Sequence, residues 1–132
     1  MIKRVVMFLV AVVAGYLTMA LLTAVVQEGM FGGVSYAKTP LPLLLVAGVL
    51  TTVCSAAGGA AAAKVFGKPW FPPALAMCGL VVLETTFLLL TDGAAGPLWF
   101  TIMGPGSHLI GIPLGAYVIR RMHQPASSLA VT

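Results

Sequence analysis

Four long apolar runs decide what this chain can fold into. A bilayer core about 30 Å thick is crossed by about 20 helical residues. Residues 5–26, 41–63 and 98–119 are such runs without any Asp, Glu, Lys or Arg, and residues 70–91 form a fourth that carries one carboxylate, Glu84. No stretch alternates apolar and polar residues with the period of two that a barrel strand requires. We therefore predict an all-α integral membrane protein, an antiparallel bundle of four transmembrane helices.

The composition excludes the other broad classes of protein. Of the 132 residues, 60% are apolar and 8% are charged, whereas soluble domains average about 45–50% and about 25%. The chain is too hydrophobic to be disordered, and its two cysteines are too few for a disulfide scaffold. Because the spans use almost the whole sequence, we predict one membrane domain, residues 1–132, ending in a short cytoplasmic tail, residues 122–132.

The basic residues predict the orientation of the chain. If it crosses the bilayer four times, all but one of its Lys and Arg residues fall on the same side. They are Lys3, Arg4, Lys64, Lys68, Arg120 and Arg121. Lys and Arg on short loops stay cytoplasmic, so both termini are predicted to be cytoplasmic, in a cell inner (plasma) membrane. The net charge of +4 then follows from topology and requires no nucleic-acid partner.

Small residues recur at spacings of three and four along two of the predicted spans, which places them on one face of each helix. The candidate packing residues are Gly48, Ser55, Gly58 and Gly59 in the second span and Gly104, Gly111 and Gly115 in the fourth. Membrane helices associate through such residues because small side chains let two backbones approach. We expect these faces to form the centre of the bundle.

A shift of 56 residues places the second span on the fourth, with Gly48 on Gly104 and Gly59 on Gly115. Both spans run in the same direction, as a duplicated helix pair with a parallel repeat axis would require. The first and third spans do not fit this offset, and such coincidences are frequent in a chain with 15 glycines. Duplication and chance both stay open.

Two ionisable residues lie near the middle of the predicted spans, Glu84 in the third and His108 in the fourth. A charge at that depth costs at least ~2.5 kcal/mol, which makes such residues functional candidates. Their depths differ by only a few ångströms, so a pair within one chain is the first hypothesis. A contact of Glu84 with another copy or subunit is the second, because its own helix face is bulky. A protonated, structural glutamate that donates to a carbonyl is the third.

The sequence lacks the motifs of the common catalytic and cofactor sites. It contains no P-loop, no dinucleotide-binding glycine pattern, no nucleophile elbow and no Cys/His cluster with metal-ligand spacing. The run 104–107, Gly-Pro-Gly-Ser, lies at membrane depth and is not a phosphate-binding loop. We therefore predict a protein that is not an enzyme and has no metal site and no cofactor.

Two resemblances bear on function. Gly104 and His108 resemble the small-x-x-x-His arrangement of bacterial light-harvesting helices, which implies, as a remote alternative, a pigment-binding subunit with His108 as ligand. In size and span count the chain looks like the small multidrug transporters. Their essential glutamate lies in the first span, which is uncharged here, so none of their residues is carried over. The chain is more similar to small four-span proteins of bacterial inner membranes.

The leading interpretation is a small non-enzymatic membrane protein, a structural or accessory subunit embedded in the lipid bilayer. It would self-associate as a homo-oligomer or pack against a larger membrane complex. The Gly/Ala faces, the bulky face around Glu84 and the short extramembrane segments support this interpretation. The alternative is a small proton- or ion-coupled transporter that uses a midplane pair of Glu84 and His108. That function would require a water-accessible cavity and a dimer, since four helices enclose little volume.

Overall fold

A computed structural model describes residues 1–91, 93 and 96–123, and the regular secondary structure of this part of the chain is helical throughout. Helix α1, Ile2–Ala24, continues into a π-helical segment, Val25–Met30, and is followed by α2 (Leu41–Phe66), α3 (Phe71–Thr91) and α4 (Leu98–Met122). Within the described residues, four helices are long and apolar enough to cross a membrane. The prediction of an all-α chain with four helices long enough and apolar enough to span a membrane is confirmed. The tail predicted for residues 122–132 lies outside the described residues from position 124 onward.

Prolines and one glycine set the ends of the helices. Pro40 precedes α2 and Pro97 precedes α4 as N-cap residues, where the missing N–H removes no hydrogen bond from the helix. Gly67 follows α2 with a φ of 77°, a left-handed conformation that glycine adopts without a steric penalty. The chain therefore reverses within the short connection 67–70.

Aromatic contacts fix the directions of the helices. Phe8, near the start of α1, packs against Phe66, at the end of α2, with ring centroids 5.8 Å apart. Trp70, just before α3, lies 5.2 Å from the ring of His123, just after α4. The start of α1 thus meets the end of α2, and the start of α3 meets the end of α4. Consecutive helices are antiparallel.

The two ends of the bundle are distinguished by their connections. We call the end that carries residues 67–70 the turn end, and the end that carries residues 31–40 the loop end. At the loop end, Tyr36 packs against Trp99 and Phe100, with ring centroids 5.8 Å and 5.6 Å away. These contacts tie the 31–40 segment to the first turn of α4.

Helices α2 and α4 run in the same direction and form the most extensive contact of the bundle. A Cβ atom added to Gly59 would overlap the carbonyl oxygen of Ile112, and one added to Gly115 would overlap the carbonyl oxygen of Ala56. Only hydrogen fits at either position, so the two backbones touch directly. This is the close approach that small residues permit in membranes.

The contacts between α2 and α4 are reciprocal. Ile112 stands 56 residues after Ala56, and Gly115 stands 56 residues after Gly59. The contact of Gly59 with Ile112 is therefore equivalent to the contact of Gly115 with Ala56, with the roles of the two helices exchanged. The offset matches the internal repeat seen in the sequence, and it gives this helix pair a local two-fold relation.

The same relation extends one turn toward the loop end and then stops. Ser55 contacts His108, and a Cβ atom on Gly111 would overlap the carbonyl oxygen of Thr52, which repeats the reciprocal pattern at the same offset. By contrast, a Cβ atom on Gly104 would meet nothing within 4 Å. Of the predicted packing glycines in α4, Gly104 lies away from any close helix contact.

Helix α1 packs on the other side of α2, and α3 completes the bundle more loosely. A Cβ atom on Gly15 would lie 2.6 Å from Ala62 Cβ, and one on Gly58 would lie 2.7 Å from the carbonyl oxygen of Gly15. Helix α3 contacts the other three helices much less extensively than α2 contacts α1 and α4. Its most buried residues, Met77 among them, all lie in its first half.

The buried core extends from the middle of the bundle to the turn end. It consists of Val12, Met19, Ala62, Ala63, Ala74, Met77, Val81, Ile112 and Ala116. All four helices contribute, and both Met77 and Ile112 are 0% exposed. Toward the loop end this core gives way to two cavities.

Candidate functional site

A cavity of about 310 Å³ lies between α1, α3 and α4, and we call it the polar cavity. It is lined by Tyr16, Met19, Ala20, Thr23, Ala24, Gln27, Glu28, Val81, Glu84 and His108. From Tyr16 to Glu28 the lining follows one face of α1 and the π-helical segment, a length of about 18 Å at 1.5 Å per residue. The polar cavity therefore extends from the middle of the bundle to the loop end.

Glu84 lies at the inner end of the polar cavity, in the middle of the bundle. The hydroxyl of Tyr16, on α1, donates a hydrogen bond to Glu84 Oε2, on α3. Glu84 itself is exposed rather than enclosed by the four helices. Among the described residues, the carboxylate is thus held from one side only, and its remaining acceptor positions have no hydrogen-bond donor.

The interaction between Tyr16 and Glu84 was not predicted from the sequence. Its partners are 68 residues apart, so no spacing within one helix reveals the contact. One signal was available: Tyr16 lies in the interior of its span, whereas tyrosines of membrane helices concentrate at the interfaces. An interior tyrosine requires a hydrogen-bond partner, and a lone intramembrane carboxylate is the natural one.

His108 reaches the polar cavity from α4 and is held by α2. Ser55 Oγ lies 2.7 Å from the carbonyl oxygen of Thr51 and 2.6 Å from His108 Nδ1. A serine hydroxyl has one hydrogen. When that hydrogen is donated to Thr51, Nδ1 of His108 must be the donor to Ser55. The other ring nitrogen, Nε2, is then the proton-accepting atom of the neutral imidazole.

The structure brings Glu84 and His108 into one cavity without bonding them to each other. Each has a different hydrogen-bond partner, Tyr16 for Glu84 and Ser55 for His108. In the described part of the chain, no hydrogen bond or ion pair joins the two side chains. Glu84 and His108 therefore line the same cavity within one chain, and each is held by its own hydrogen-bond partner.

Three further polar residues line the loop-end part of the polar cavity. Thr23 Oγ1 is buried and has no hydrogen-bond partner among the described residues. Gln27 Nε2 donates to Thr51 Oγ1 at 3.5 Å. Glu28 adds a second carboxylate near the loop end. Gln27 and Glu28 belong to the π-helical segment, a form of helix that is rare and frequently occurs at functional sites.

The lining of the polar cavity contains acidic residues. Its lining contains the carboxylates Glu28 and Glu84, and among the lining residues of the described chain none is Lys or Arg. Weakly screened charges act strongly in a low-dielectric surrounding. The cavity therefore favours a proton or another cation over an anion.

A second cavity, of about 390 Å³, lies between α2, α3 and α4 toward the loop end, and we call it the apolar cavity. It is lined by Gln27, Val34, Ala47, Gly48, Thr51, Thr85, Leu88, Leu89, Gly93, Phe100, Thr101, Met103, Gly104 and Pro105. None of these residues is charged. Gln27 lines both cavities, so the two are neighbours. The open space beside Gly104 belongs to the apolar cavity.

The described residues offer no site for a metal ion. Across residues 1–91, 93 and 96–123, no three His, Cys, Asp or Glu side chains form a group that could hold one. Cys54 and Cys78 are free thiols inside α2 and α3.

No protein-family profile, curated protein sequence or solved structure matches this chain. Its function is therefore argued from the two cavities and the residues that line them.

Proposed function

We propose that the protein is a small proton-coupled membrane transporter in which Glu84 is the proton-binding residue. The observation that carries the proposal is the polar cavity, which leads from the loop end to Glu84 and His108 in the middle of the bundle. Ionisable residues inside spans are costly to maintain and mark ion pathways. Transporters place their coupling sites near the bilayer midplane.

The residues around Glu84 suit the uptake and release of a proton. The Tyr16 hydroxyl donates to Oε2, which leaves the other carboxylate oxygen available to receive a proton. His108 offers a second proton acceptor at Nε2, in the ring orientation set by Ser55. Two acceptors in one cavity allow a proton to be held at different positions as the occupancy of the site changes.

Transport also requires the site to open toward the turn end, where the core now closes the bundle. Met77, Val81 and Ile112 fill that region and are almost fully buried. Helix α3 contributes two of these residues and is attached less extensively than α2. A displacement of α3 is therefore the smallest rearrangement that opens the site, as alternating access requires.

A pH-step measurement tests the proton-binding role. Wild-type protein reconstituted on a solid-supported membrane is expected to give a transient current when the bath is switched from alkaline to acidic buffer. Glu84→Gln, which keeps the shape but removes the titratable group, is expected to abolish it. Val82→Leu, two residues away on an exposed position, is the control and is expected to keep it. An unchanged current in folded Glu84→Gln protein would contradict the proposal.

The orientation we propose places the turn end in the cytoplasm of a cell whose inner membrane holds the protein, with both termini inside. It is supported by the basic residues Lys64, Arg120 and Arg121, in the last turns of α2 and α4. Ser35→Cys, in a background lacking Cys54 and Cys78, tests it in whole cells with a membrane-impermeant maleimide. We expect labelling without lysis. Labelling only after lysis would show that residue 35 faces the cytoplasm, and it would contradict the proposed orientation.

A structural or accessory subunit is the second candidate function. Leu83, Phe87 and Leu90 form an exposed stripe on the outer face of α3, with exposed fractions of 69%, 62% and 81%. Glu84, on the same helix, is exposed, and because ionisable residues of spans rarely face lipid, its exposure favours the covering of this part of α3 by another copy or another membrane protein. Disulfide cross-linking of Phe87→Cys, with Val53→Cys on α2 as control, is expected to trap a homodimer through α3 alone. Equal cross-linking at both positions would argue against this interface.

A further inference from the structure

We infer that the turn end of the bundle binds an anionic phospholipid, whose phosphate lies against Arg120 and Lys68 beside the aromatic residues at the start of α3. The inference is independent of the proposed transport function, since these residues line neither cavity. Three features of the molecule carry it: the distribution of charge between the two ends, the rings that position Arg120, and the exposed apolar face of α3 that continues from them.

The basic residues of the chain collect at the turn end, where the described residues include no carboxylate. They lie at the start of α1, at the end of α2, in the connection 67–70 and at the end of α4, and they are Lys3, Arg4, Lys64, Lys68, Arg120 and Arg121. The described carboxylates, Glu28 and Glu84, line the polar cavity instead. Clusters of Lys and Arg at one end of a membrane bundle attract anionic lipid headgroups.

An aromatic residue at the start of α3 positions Arg120. The Cζ atom of Arg120 lies 5.9 Å from the centroid of the Phe71 ring, and Phe71 is itself packed against the buried core. The ring stabilises the cation, and the planar fork of guanidinium N–H groups suits a bidentate hydrogen bond to a phosphate. Arg121 is held by its own helix, because its Nε donates to the hydroxyl of Tyr117 at 2.9 Å. Arg120 is therefore the arginine of α4 that is directed toward α3.

Trp70, His123 and Lys68 complete the surroundings of Arg120. The ring of His123, which lies about one turn after Arg120, is 5.2 Å from the ring of Trp70. Lys68 is exposed and stands two residues before Trp70. Tryptophan is enriched at the interface between membrane and water, where its N–H meets the polar headgroups. The start of α3 and the end of α4 thus bring Lys68 and Arg120 to the level of the lipid phosphates.

An exposed apolar face of α3 continues from this site toward the middle of the bundle. Phe71, Leu75 and Gly79 are spaced by four residues and lie along one side of the helix. Leu75 is 64% exposed, and a Cβ atom on Gly79 would meet nothing within 4 Å. An acyl chain can follow this face without displacing a side chain of the bundle. A free phosphate ion would use only the polar part of the site, so the apolar face favours a lipid as the source of the phosphate.

The charges at this site favour an anionic headgroup over a zwitterionic one. A zwitterionic headgroup brings an ammonium group beside its phosphate, and this group would face Lys68 and Arg120. Among the described residues, no carboxylate of the turn end is available to receive it. Each Lys or Arg near the surface strengthens the attraction for an anionic lipid about fivefold. We therefore expect the bound lipid to be selected by its net negative charge.

Quenching of tryptophan fluorescence by brominated lipids tests the inference. The chain has two tryptophans, Trp70 at the turn end and Trp99 at the loop end, and each is observed alone when the other is replaced by Phe. The protein is reconstituted in phosphatidylcholine bilayers that contain a fixed fraction of brominated phosphatidylglycerol or brominated phosphatidylcholine. We expect a relative affinity at Trp70 that favours phosphatidylglycerol at least about fivefold, and a clearly smaller preference at Trp99. Equal quenching of Trp70 by the two lipids, or an equal preference at both tryptophans, would overturn the inference.

Variants that remove one positive charge from either end locate the site. In the Trp99→Phe background, Arg120→Gln is expected to lower the lipid preference at Trp70 about fivefold. Lys38→Gln, which removes the same charge at the loop end, is expected to leave it unchanged. Lys68→Gln, in the connection between α2 and α3, serves if Arg120→Gln does not fold. An undiminished preference in either folded turn-end variant would overturn the inference. Loss of the wild-type preference in excess inorganic phosphate at constant ionic strength would also overturn it, since the ligand would then be a soluble anion.

Discussion

The two halves of this bundle are packed in opposite ways. At the turn end, the backbones of α2 and α4 touch and a continuous core joins all four helices. At the loop end, the helices border two open cavities of about 310 and 390 Å³. Glu84 and His108 lie between the two regions. The comparison indicates that one half holds the fold together and the other keeps open the space that a binding site needs.

The side chains of α2 explain the difference. Residues 55–63, at the turn end, are serine followed only by alanine and glycine, whereas residues 41–46 are mostly leucine. Helices with small side chains approach until their backbones touch. Bulky side chains keep the axes apart, and where they point toward lipid the space between the helices stays unfilled. The change in side-chain size along α2 thus accompanies the change from direct backbone contact with α4 to the apolar cavity.

The largest expected difference in the free energy of unfolding is between substitutions at two glycines of α4, one at the turn end and one nearer the loop end. Gly115→Ala would drive a methyl group into the Ala56 carbonyl, and we expect a loss of about 3 kcal/mol or more in the free energy of unfolding. Gly106→Ala meets nothing within 4 Å and is expected to gain up to about 1 kcal/mol. Thermal unfolding in detergent, followed by circular dichroism, measures both. Equal changes in the melting temperature of the two variants would contradict the difference in packing between the two ends of the bundle.

Two methionines give the next largest contrast. Met77 is 0% exposed in the core, and Met77→Ala is expected to cost about 2–5 kcal/mol, from lost transfer energy and the cavity left behind. Met103 is only partly buried and lines the apolar cavity, so Met103→Ala is expected to cost less than about 1 kcal/mol, because fewer side-chain contacts are lost than at Met77. Denaturant titration of the two variants measures both losses in the free energy of unfolding. A costlier loss at Met103 would show that the loop end also stabilises the fold.

A smaller effect is expected where the two halves meet. Tyr16→Phe removes the hydrogen bond to Glu84, and we expect a change in unfolding free energy of about 1 kcal/mol. The amplitude of the pH-step current should fall, because the carboxylate loses its only hydrogen-bond donor among the described residues. Phe8→Leu, near the turn end, is the control for a changed aromatic residue in α1. A current that is normal in Tyr16→Phe would make the tyrosine a purely structural partner.

The smallest effect is expected on the outer surface of α3. Val82 is 50% exposed and contributes to neither cavity nor core. Val82→Leu is therefore expected to change the unfolding free energy by less than about 0.5 kcal/mol. A large effect in the same thermal unfolding assay would mean that this face is covered by another chain in the purified protein.

The fold class followed from the sequence because length and hydropathy alone decide whether a helix can span a bilayer. Gly59, Gly111 and Gly115 were marked by their spacing, and they lie at backbone contacts. Gly104 belongs to the same face but lies beside a cavity. Periodicity identifies the face of a helix; it does not tell how far along that face a neighbouring helix stays close.

The candidate site was less predictable than the fold. Glu84 and His108 were identified because ionisable residues are rare inside spans. Tyr16 was not identified, because its role depends on α1 and α3 being neighbours, and hydropathy contains no information on which helices adjoin. The anchoring of His108 by Ser55 likewise required the parallel contact of α2 with α4. Partner choice across helices is set by three-dimensional packing.

The reciprocal contact of α2 and α4 has a consequence for biosynthesis. A chain leaves the ribosome from its N-terminus, so α1 and α2 are able to form their antiparallel hairpin while the rest is still being translated. The partner of the glycine face of α2 is the last of the four spans to emerge, and α3 must enter the membrane before it. Until then that face contacts lipid. The contact between α2 and α4 is therefore formed last. In a chain whose synthesis stops after α3, this face of α2 has no helix to pack against.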